Sequence, residues 1–279
     1  MEGGTLTVGN RSGSIVGNLR AGSIIMNSYS SVDLITTGGI IGGIAGEVVG
    51  GSSIINSRSS GDVSGTGVSI GGIAGYLGSG SSITGSSSTG DVSGANNQVG
   101  GIAGLMNDTS ISNSYSTGNI SSNASSVGGI VGMISGGNNS VTNNFSKSDV
   151  LAGNSHAGGI VGNVAAAATV TVSNNAAKNP QVEATGLGSA GTIGRVVGNP
   201  VGTAITSNNF AYVNMDDPGI ASFTGITLRD GYNRTMAQFG TQAKFEDAPI
   251  DGHTGGLGWD FTTVWEWGLG NRPRLRSSP

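Results

Sequence analysis

The sequence predicts an all-β fold, a parallel β-solenoid (β-helix) of about seven coils, each with about 29 residues and three short strands, closed by an aromatic C-terminal cap. Three observations predict it. A glycine-rich block recurs along the chain at a nearly constant period. A block rich in serine and asparagine follows each copy at the same period. The residues between these blocks favour strands and turns over helices.

The glycine-rich block sets the period of the repeat. Its clearest copies run from Ile41 to Gly46, from Ile70 to Gly75 and from Val99 to Gly104. The separations between successive closing glycines are 29, 29, 29, 28 and 30 residues, measured at Gly17, Gly46, Gly75, Gly104, Gly132 and Gly162. A single coil of this length cannot bury its apolar side, whereas stacked coils bury a continuous core.

Stacking predicts that equivalent residues form vertical ladders. One apolar ladder is expected at Ile44, Ile73, Ile102, Ile130 and Ile160. A second is expected at Leu34, Val63, Val92, Ile120, Val150 and Val182. The glycines are expected to allow bends with positive φ and close approach of backbones.

The composition changes near residue 215. All six prolines lie at or after Pro180, and all three tryptophans lie between Trp259 and Trp267. We therefore expect a solenoid over residues 1–215 and a capping segment or small module over residues 216–279, covering the last coil. A short helix is expected between Thr235 and Phe245.

Composition and charge exclude several classes of protein. Glycine accounts for 53 of 279 residues, but without the strict period of three that collagen needs. The net charge is −4 and the basic residues are scattered, so nucleic acid is not an expected partner. No apolar run is long enough to insert in a membrane, and no cysteine is present for thiolate catalysis. The first residues lack the pattern of a signal peptide, so we expect an excised or mature fragment.

The repeats resemble the GLUG motif, most clearly from Gly100 to Ile120. The tail from Trp259 to Trp265, with Arg272 to Leu275, resembles a segment that often closes such arrays. The motif is named in secreted bacterial proteins, including adhesins and the non-catalytic regions of immunoglobulin A-cleaving peptidases. The resemblance implies an extracellular or cell-surface location and no catalytic residues. His156 and His253 do not belong to the zinc motif of those peptidases, and no catalytic constellation is found.

Three rows of residues are candidates for a site. Asp33, Asp62, Asp91 and Asp149 either hold Ca²⁺, which favours oxygen ligands, or accept backbone hydrogen bonds at a turn. The asparagines are expected to stack through their amides in a structural role, at Asn27, Asn56, Asn113, Asn143, Asn174 and Asn208. Tyr29, Arg58, Tyr115 and Phe145 are candidate ligand contacts, because exposed aromatic rings can stack on sugars or fill gaps at the edge of the core.

These features predict a structural or adhesive segment of a large bacterial surface protein, a rigid stalk or a binding face. The expected partner is a host protein, a glycan or a protein on a neighbouring cell. No enzyme activity and no cofactor is expected, Ca²⁺ being the one ion considered. Two alternatives remain open: a carbohydrate-active β-helix enzyme, and a subunit that associates end to end into a fibre.

Overall fold

The computed structural model describes residues 3–96, 98–186, 192–215, 230–239, 241–242, 245, 257–268 and 272–276. The strands of the solenoid fall into seven successive sets, which we call rungs. Rungs 1 and 2 contain β1 (Thr5–Val8), β2 (Ser12–Gly13), β3 (Val16–Leu19), β4 (Ile24–Met26), β5 (Tyr29–Ser30), β6 (Asp33–Thr36), β7 (Ile40–Gly42), β8 (Ala45–Val48), β9 (Ser53–Ile55) and β10 (Arg58–Ser59). Rungs 3 and 4 contain β11 (Val63–Gly65), β12 (Ser69–Gly71), β13 (Ala74–Gly78), β14 (Ser82–Thr84), β15 (Ser87–Ser88), β16 (Val92–Gly94), β17 (Val99–Gly100), β18 (Ala103–Asn107), β19 (Ser110–Ser112) and β20 (Tyr115–Ser116).

The later rungs follow the same order. Rungs 5 and 6 contain β21 (Ile120–Ser122), β22 (Val127–Gly128), β23 (Val131–Thr142), β24 (Phe145–Ser146), β25 (Val150–Ala152), β26 (Ala157–Gly158), β27 (Val161–Val164), β28 (Ala168–Ser173) and β29 (Ala176–Ala177). Rung 7 contains β30 (Val182–Ala184), β31 (Ile193–Gly194), β32 (Val197–Pro200), β33 (Thr203–Ser207) and β34 (Phe210–Tyr212). After it come β35 (Tyr232–Arg234), helix α1 (Met236–Phe239), β36 (Trp265–Gly268) and β37 (Arg272–Leu275).

The rungs stack through five parallel ladders. We name them A to E in chain order: ladder A starts at β1, B at β2, C at β3, D at β4 and E at β5. The long strand β23 belongs to both C and D, and β35 extends E by one strand. Seven strands in ladder A are separated by six turns, so the solenoid completes about six turns, slightly fewer than the seven coils that the spacing predicted.

Each turn has five strands where the sequence predicted three. The glycine-rich block divides into a strand of ladder B and one of ladder C, because the chain bends between them, as at Gly43-Ile44. The asparagine block divides into strands of ladders D and E for the same reason. Its bend falls on a residue in the left-handed region, with φ between 48° and 61° at Asn27, Asn56, Gly85, Asn113, Asn143, Asn174 and Asn208. Asparagine is one of the few residues other than glycine that enter this region readily.

The predicted core is confirmed. The side chains of Ile44, Ile73 and Ile102 are fully buried, and each of the first two donates its backbone N–H to the carbonyl of the next, at 3.0 Å. The second ladder is also in register, with Leu34 beside Val63 and Val63 beside Val92. Equivalent apolar side chains therefore lie one strand spacing apart, about 4.8 Å.

Glycine is required in the glycine-rich block because backbones approach each other closely there, and not because φ is positive. A Cβ at Gly101 would lie 2.3 Å from the carbonyl oxygen of Gly129, in the next rung, and 2.3 Å from Oγ of Ser116, across the coil. Its backbone lies outside the left-handed region. The expected left-handed bends occur at other glycines, such as Gly39, Gly50 and Gly80, and at the asparagines of the bend.

The aromatic segment packs against the side of ladder E. Phe239, Phe245, Leu257, Trp259, Phe261 and Trp265 form one buried cluster with Phe145, Ala176 and Phe210 of the solenoid. Trp259 and Trp265 stack with their centroids 4.5 Å apart, and Nε1 of Trp259 donates to the carbonyl of Asn174 at 2.8 Å. The sequence predicted that this segment covers the end of the last coil. In these contacts it instead lies along the side of the solenoid, over rungs 5 to 7.

The predicted helix is shorter than expected. Helix α1 spans Met236–Phe239, and Thr235 caps its start by accepting the N–H of Gln238 at 3.3 Å, while Gln238 accepts the N–H of Thr235 at 2.8 Å. This reciprocal pair is a capping box. No helix in the described part of the chain is long and apolar enough to cross a membrane.

A glycine exchange tests the close approach. We expect Gly101→Ala to lower the free energy of unfolding by about 1–3 kcal/mol, because a methyl group there must displace backbone. Gly38→Ala is the control, since nothing lies within 4 Å of a Cβ at Gly38. Urea unfolding followed by circular dichroism measures both, and equal midpoints for the two variants would contradict the packing described here.

Candidate functional site

The candidate ligand contacts lie in one vertical row on ladder E. From β5 to β34, each strand of this ladder buries a small second residue, such as Ser30 or Ser59, while its first residue lies on the outer side of the strand. The row of first residues, which we call the E row, reads Tyr29, Arg58, Ser87, Tyr115, Phe145, Ala176, Phe210 and Tyr232. The structure therefore brings together all four predicted contacts.

The aromatic segment divides the E row into a covered and an open part. Phe145 is fully buried in the aromatic cluster, so a ligand does not reach it in this structure. Tyr115 is half-buried at the margin, with its ring centroid 6.5 Å from that of Trp265. Tyr29 is 40% exposed and Arg58 is also exposed. The open part thus runs from Tyr29 to Tyr115, with the small side chain of Ser87 buried between Arg58 and Tyr115.

Two adjoining clefts lie over this open part. The first, of about 290 Å³, lies between ladder E and the hairpin β36–β37, and its lining includes Arg58, Tyr115, Glu266, Arg274 and Arg276. The second, of about 380 Å³, lies further along the row and is lined by Asn27, Ser28, Tyr29, Asn56 and Arg58. Asn56 and Arg58 belong to both clefts, so the two form one groove.

Contacts within the hairpin hold its arginines at the first cleft. Glu266 and Arg274 face each other across the two antiparallel strands, and Oε1 of Glu266 lies 2.7 Å from Nε of Arg274. Arg276 donates from Nε to the carbonyl of Trp265 at 2.9 Å and from Nη2 to the carbonyl of Phe261 at 2.5 Å. On the solenoid side, the guanidinium of Arg58 lies 5.6 Å from the centre of the Tyr29 ring, within the range of a cation–π contact.

The aspartate row makes the backbone contacts that the turn interpretation predicted. Oδ1 of Asp33 accepts the N–H of Asp62 at 2.9 Å, Asp62 accepts that of Asp91 at 2.8 Å, and Asp91 accepts that of Asn119 at 2.7 Å. Oδ1 of Asp149 is buried and has no hydrogen-bond partner. Within the described residues, no three His, Asp or Glu side chains converge as a metal site would require. Binding of Ca²⁺ stays a prediction.

Of the two histidines, His156 lies in the described part of the chain. Burial lowers the pKa of His156, which lies at a left-handed bend with φ of 65°. His253 lies outside the described residues.

A second polar row, which the sequence did not predict, lies one residue after the left-handed bend between ladders D and E. Its side chains are Ser57, Ser86, Ser114, Asn144, Asn175 and Asn209, and each accepts the backbone N–H of its counterpart in the rung before, at 2.9–3.3 Å. The stacked amides expected at Asn27 and its equivalents occur in this row, where Asn144 donates to Asn175 at 3.0 Å and Asn175 to Asn209 at 2.9 Å. In the predicted row, Asn208 donates to Asn174 at 2.7 Å.

The arginines of the hairpin were also missed as site residues. In the sequence, Arg274 belongs only to the tail segment that resembles the end of such arrays, which assigns it no binding role. No periodicity links Arg276 to ladder E. The sequence signal that could have indicated them is the pair of basic residues beside the tryptophans, in a chain where only 10% of residues are charged.

Comparison with known proteins agrees with this architecture. A family model described as the GLUG motif matches residues 95–121. The chain carries a GLUG motif. The matched stretch contains the glycine-rich block of rung 4 and its strand β20, as the resemblance implied. The chain is also similar in fold to a crystal structure from Bacteroides ovatus, described as that of a putative immunoglobulin A1 protease. The two share 18% identity with a TM-score of 0.56, over 94% of this chain and 88% of the other. No curated protein matches the chain.

A substitution in the aspartate row distinguishes the turn interpretation from Ca²⁺ binding. We expect Asp91→Asn to change the free energy of unfolding by less than about 0.5 kcal/mol, because the amide oxygen also accepts the N–H of Asn119. Asp91→Ala is the comparison, and its loss of the acceptor should cost about 1 kcal/mol. Urea unfolding with calcium chloride and with a chelator measures the effect. Calcium-dependent stability that Asp91→Asn abolishes would contradict the turn interpretation.

Proposed function

We propose that this chain is a non-catalytic repeat region of a bacterial extracellular or cell-surface protein, and that it presents the open part of the E row to a ligand on a host or neighbouring cell. The observation that carries the proposal is the groove over Tyr29, Arg58 and Tyr115, which the aromatic segment borders but does not cover.

The solenoid suits the task of holding such a face. Successive E-row residues are fixed to strands that pair in parallel with their neighbours above and below, as in Arg58 between Tyr29 and Ser87. The buried second residues of these strands pack against the glycine-rich block, as Ser59 does against Gly43 and Ser88 against Gly72. Side chains on rigid strands lose little freedom on binding, which reduces the entropic cost of association.

The composition of the groove fits recognition better than hydrolysis. Glycoside hydrolysis generally uses two carboxylic acids on opposite sides of the bond. Among the described residues that line the two clefts, Glu266 is the one acidic residue, and it is paired with Arg274. The aromatic rings, arginine and amides of the groove are residue types that contact saccharide or protein ligands.

Binding to an array of glycans and extracellular-matrix proteins tests the proposal. We expect the purified chain to bind a subset of these ligands and Tyr29→Ala to bind them about fivefold more weakly, because a ring contact contributes about 1 kcal/mol. Ile35→Ala is the matched control, since Ile35 is 46% exposed against 40% for Tyr29 but lies on ladder A. Equal loss in the two variants, or no binding by the parent chain, would contradict the proposed face.

The first rung supports a second candidate, end-to-end association. Leu6 is 45% exposed, although Leu34, its neighbour in the core ladder, is fully buried. Ile15 is 40% exposed, whereas the equivalent Ile44 is fully buried. An edge with apolar side chains and unpaired strand groups is a template for another chain.

A charge placed on this edge tests the association. We expect the apparent molar mass of the parent chain, measured by light scattering, to rise with protein concentration and Leu6→Lys to abolish the rise, because a lysine cannot be buried at the junction without a partner. Ile35→Lys places the same charge at a residue of similar exposure away from the edge and should leave the scattering unchanged. A parent chain that stays monomeric at all concentrations would rule out this candidate.

A further inference from the structure

We propose that the cleft between ladder E and the hairpin β36–β37 binds an oligosaccharide that carries carboxylate groups. This inference rests on the proposed function, since it names the ligand class of the same face. It follows from the charge of the cleft, from the way its arginines are held, and from the groups that continue along the E row.

The cleft is positive although the chain is negative. Among the described residues its lining contains Arg58, Arg274 and Arg276 and one carboxylate, Glu266, so these four side chains together carry a charge of +2. The chain as a whole has a net charge of −4. A concave surface lined by charges of one sign concentrates the field and attracts ligands of opposite charge.

Two of the arginines are held in place with donors to spare. Arg276 uses Nε and Nη2 on the carbonyls of Trp265 and Phe261. Arg274 places Nε against Glu266. A guanidinium has five N–H donors, so each keeps further donors for a ligand. Their planar fork matches the two oxygens of a carboxylate, and because both heads are already oriented, less freedom is lost when a carboxylate binds.

The third arginine comes from the opposite wall. Arg58 stands on the solenoid, whereas Arg274 and Arg276 stand on the hairpin or directly after it. A carboxylate in the cleft is thus approached from both walls. The hairpin and the solenoid, which are distant in sequence, form this charge together.

The remainder of the groove fits the neutral parts of a sugar chain. Tyr115 presents a half-buried ring at one end and Tyr29 an exposed ring at the other. They are three rungs apart, a distance of about 14 Å at the spacing of strands. The exposed amides of Asn27 and Asn56 lie along the second cleft and supply both donors and acceptors for hydroxyl groups. An extended oligosaccharide would therefore place an acidic group at the arginines and further rings along the row.

Calorimetric titration of the full chain tests the inference with two pairs of probes. The first pair is tetragalacturonate and its methyl ester, which has the same backbone without charge. The second is a sialylated lactose and lactose itself. We expect at least one acidic probe to bind about tenfold more tightly than its neutral partner, and added salt to weaken that binding. The first pair detects a uronate ligand and the second a terminal sialic acid.

Variants locate the binding. Arg58→Gln and Arg274→Gln should each weaken the acidic probe about tenfold, since each removes a charged hydrogen bond. Arg20→Gln is the control: Arg20 is also an exposed arginine, but it pairs with Glu47 and lies outside both clefts. Unchanged binding by Arg20→Gln is expected.

Several outcomes would overturn the inference. The inference fails if the neutral probes bind as tightly as the acidic ones. It also fails if Arg20→Gln lowers the affinity for the acidic probe as much as Arg58→Gln and Arg274→Gln do. Binding of single-stranded oligothymidylate with the same affinity would show a general preference for polyanions and would also overturn it. If the array identifies a neutral glycan or a matrix protein whose binding needs Tyr29, the proposed function stands and only the acidic ligand class fails.

Discussion

Vertical register is the constraint on which this structure depends. Each residue of the solenoid lies above and below its own copies at one strand spacing, and the backbone hydrogen bonds run between rungs, as from Ile73 to Ile102. Every position must therefore be compatible with repetition of itself. An apolar residue repeats easily, because it buries its copy. A charged residue repeats at low cost if its copies find partners, as Asp33, Asp62 and Asp91 do by accepting the N–H of the next rung.

Much of the fold could be predicted because this constraint leaves a period in the sequence. The isoleucine ladder, the register of Leu34 with Val63 and the parallel pairing follow from the spacing alone. The number of strands could not be predicted, because a bend after two residues leaves too short a segment for an alternating pattern. For Gly101, the prediction of close backbone approach is confirmed and that of positive φ is wrong. The sequence does not show which residue lies opposite Gly101 in the coil, which the structure identifies as Ser116.

The site was predicted less completely than the fold. Tyr29 and Arg58 could be placed in one row from the period, and the structure keeps them exposed. That Phe145 is enclosed could not be predicted, because the aromatic segment has no repeat and its position depends on contacts such as that of Trp259 with Asn174. The arginines of the hairpin reach the groove by the same non-periodic packing, so the repeat does not indicate them.

The two polar rows of the coil run in opposite senses. The carboxylate of Asp33 serves the N–H of the rung that follows it, whereas the hydroxyl of Ser57 serves the N–H of the rung that precedes it. Removing or adding one whole repeat leaves both chains of donors and acceptors closed, while a cut within a repeat breaks at least one of them. Gain or loss of a whole repeat can thus lengthen or shorten this rod without a penalty at the junction, whereas an insertion or deletion inside a repeat costs hydrogen bonds of at least one row.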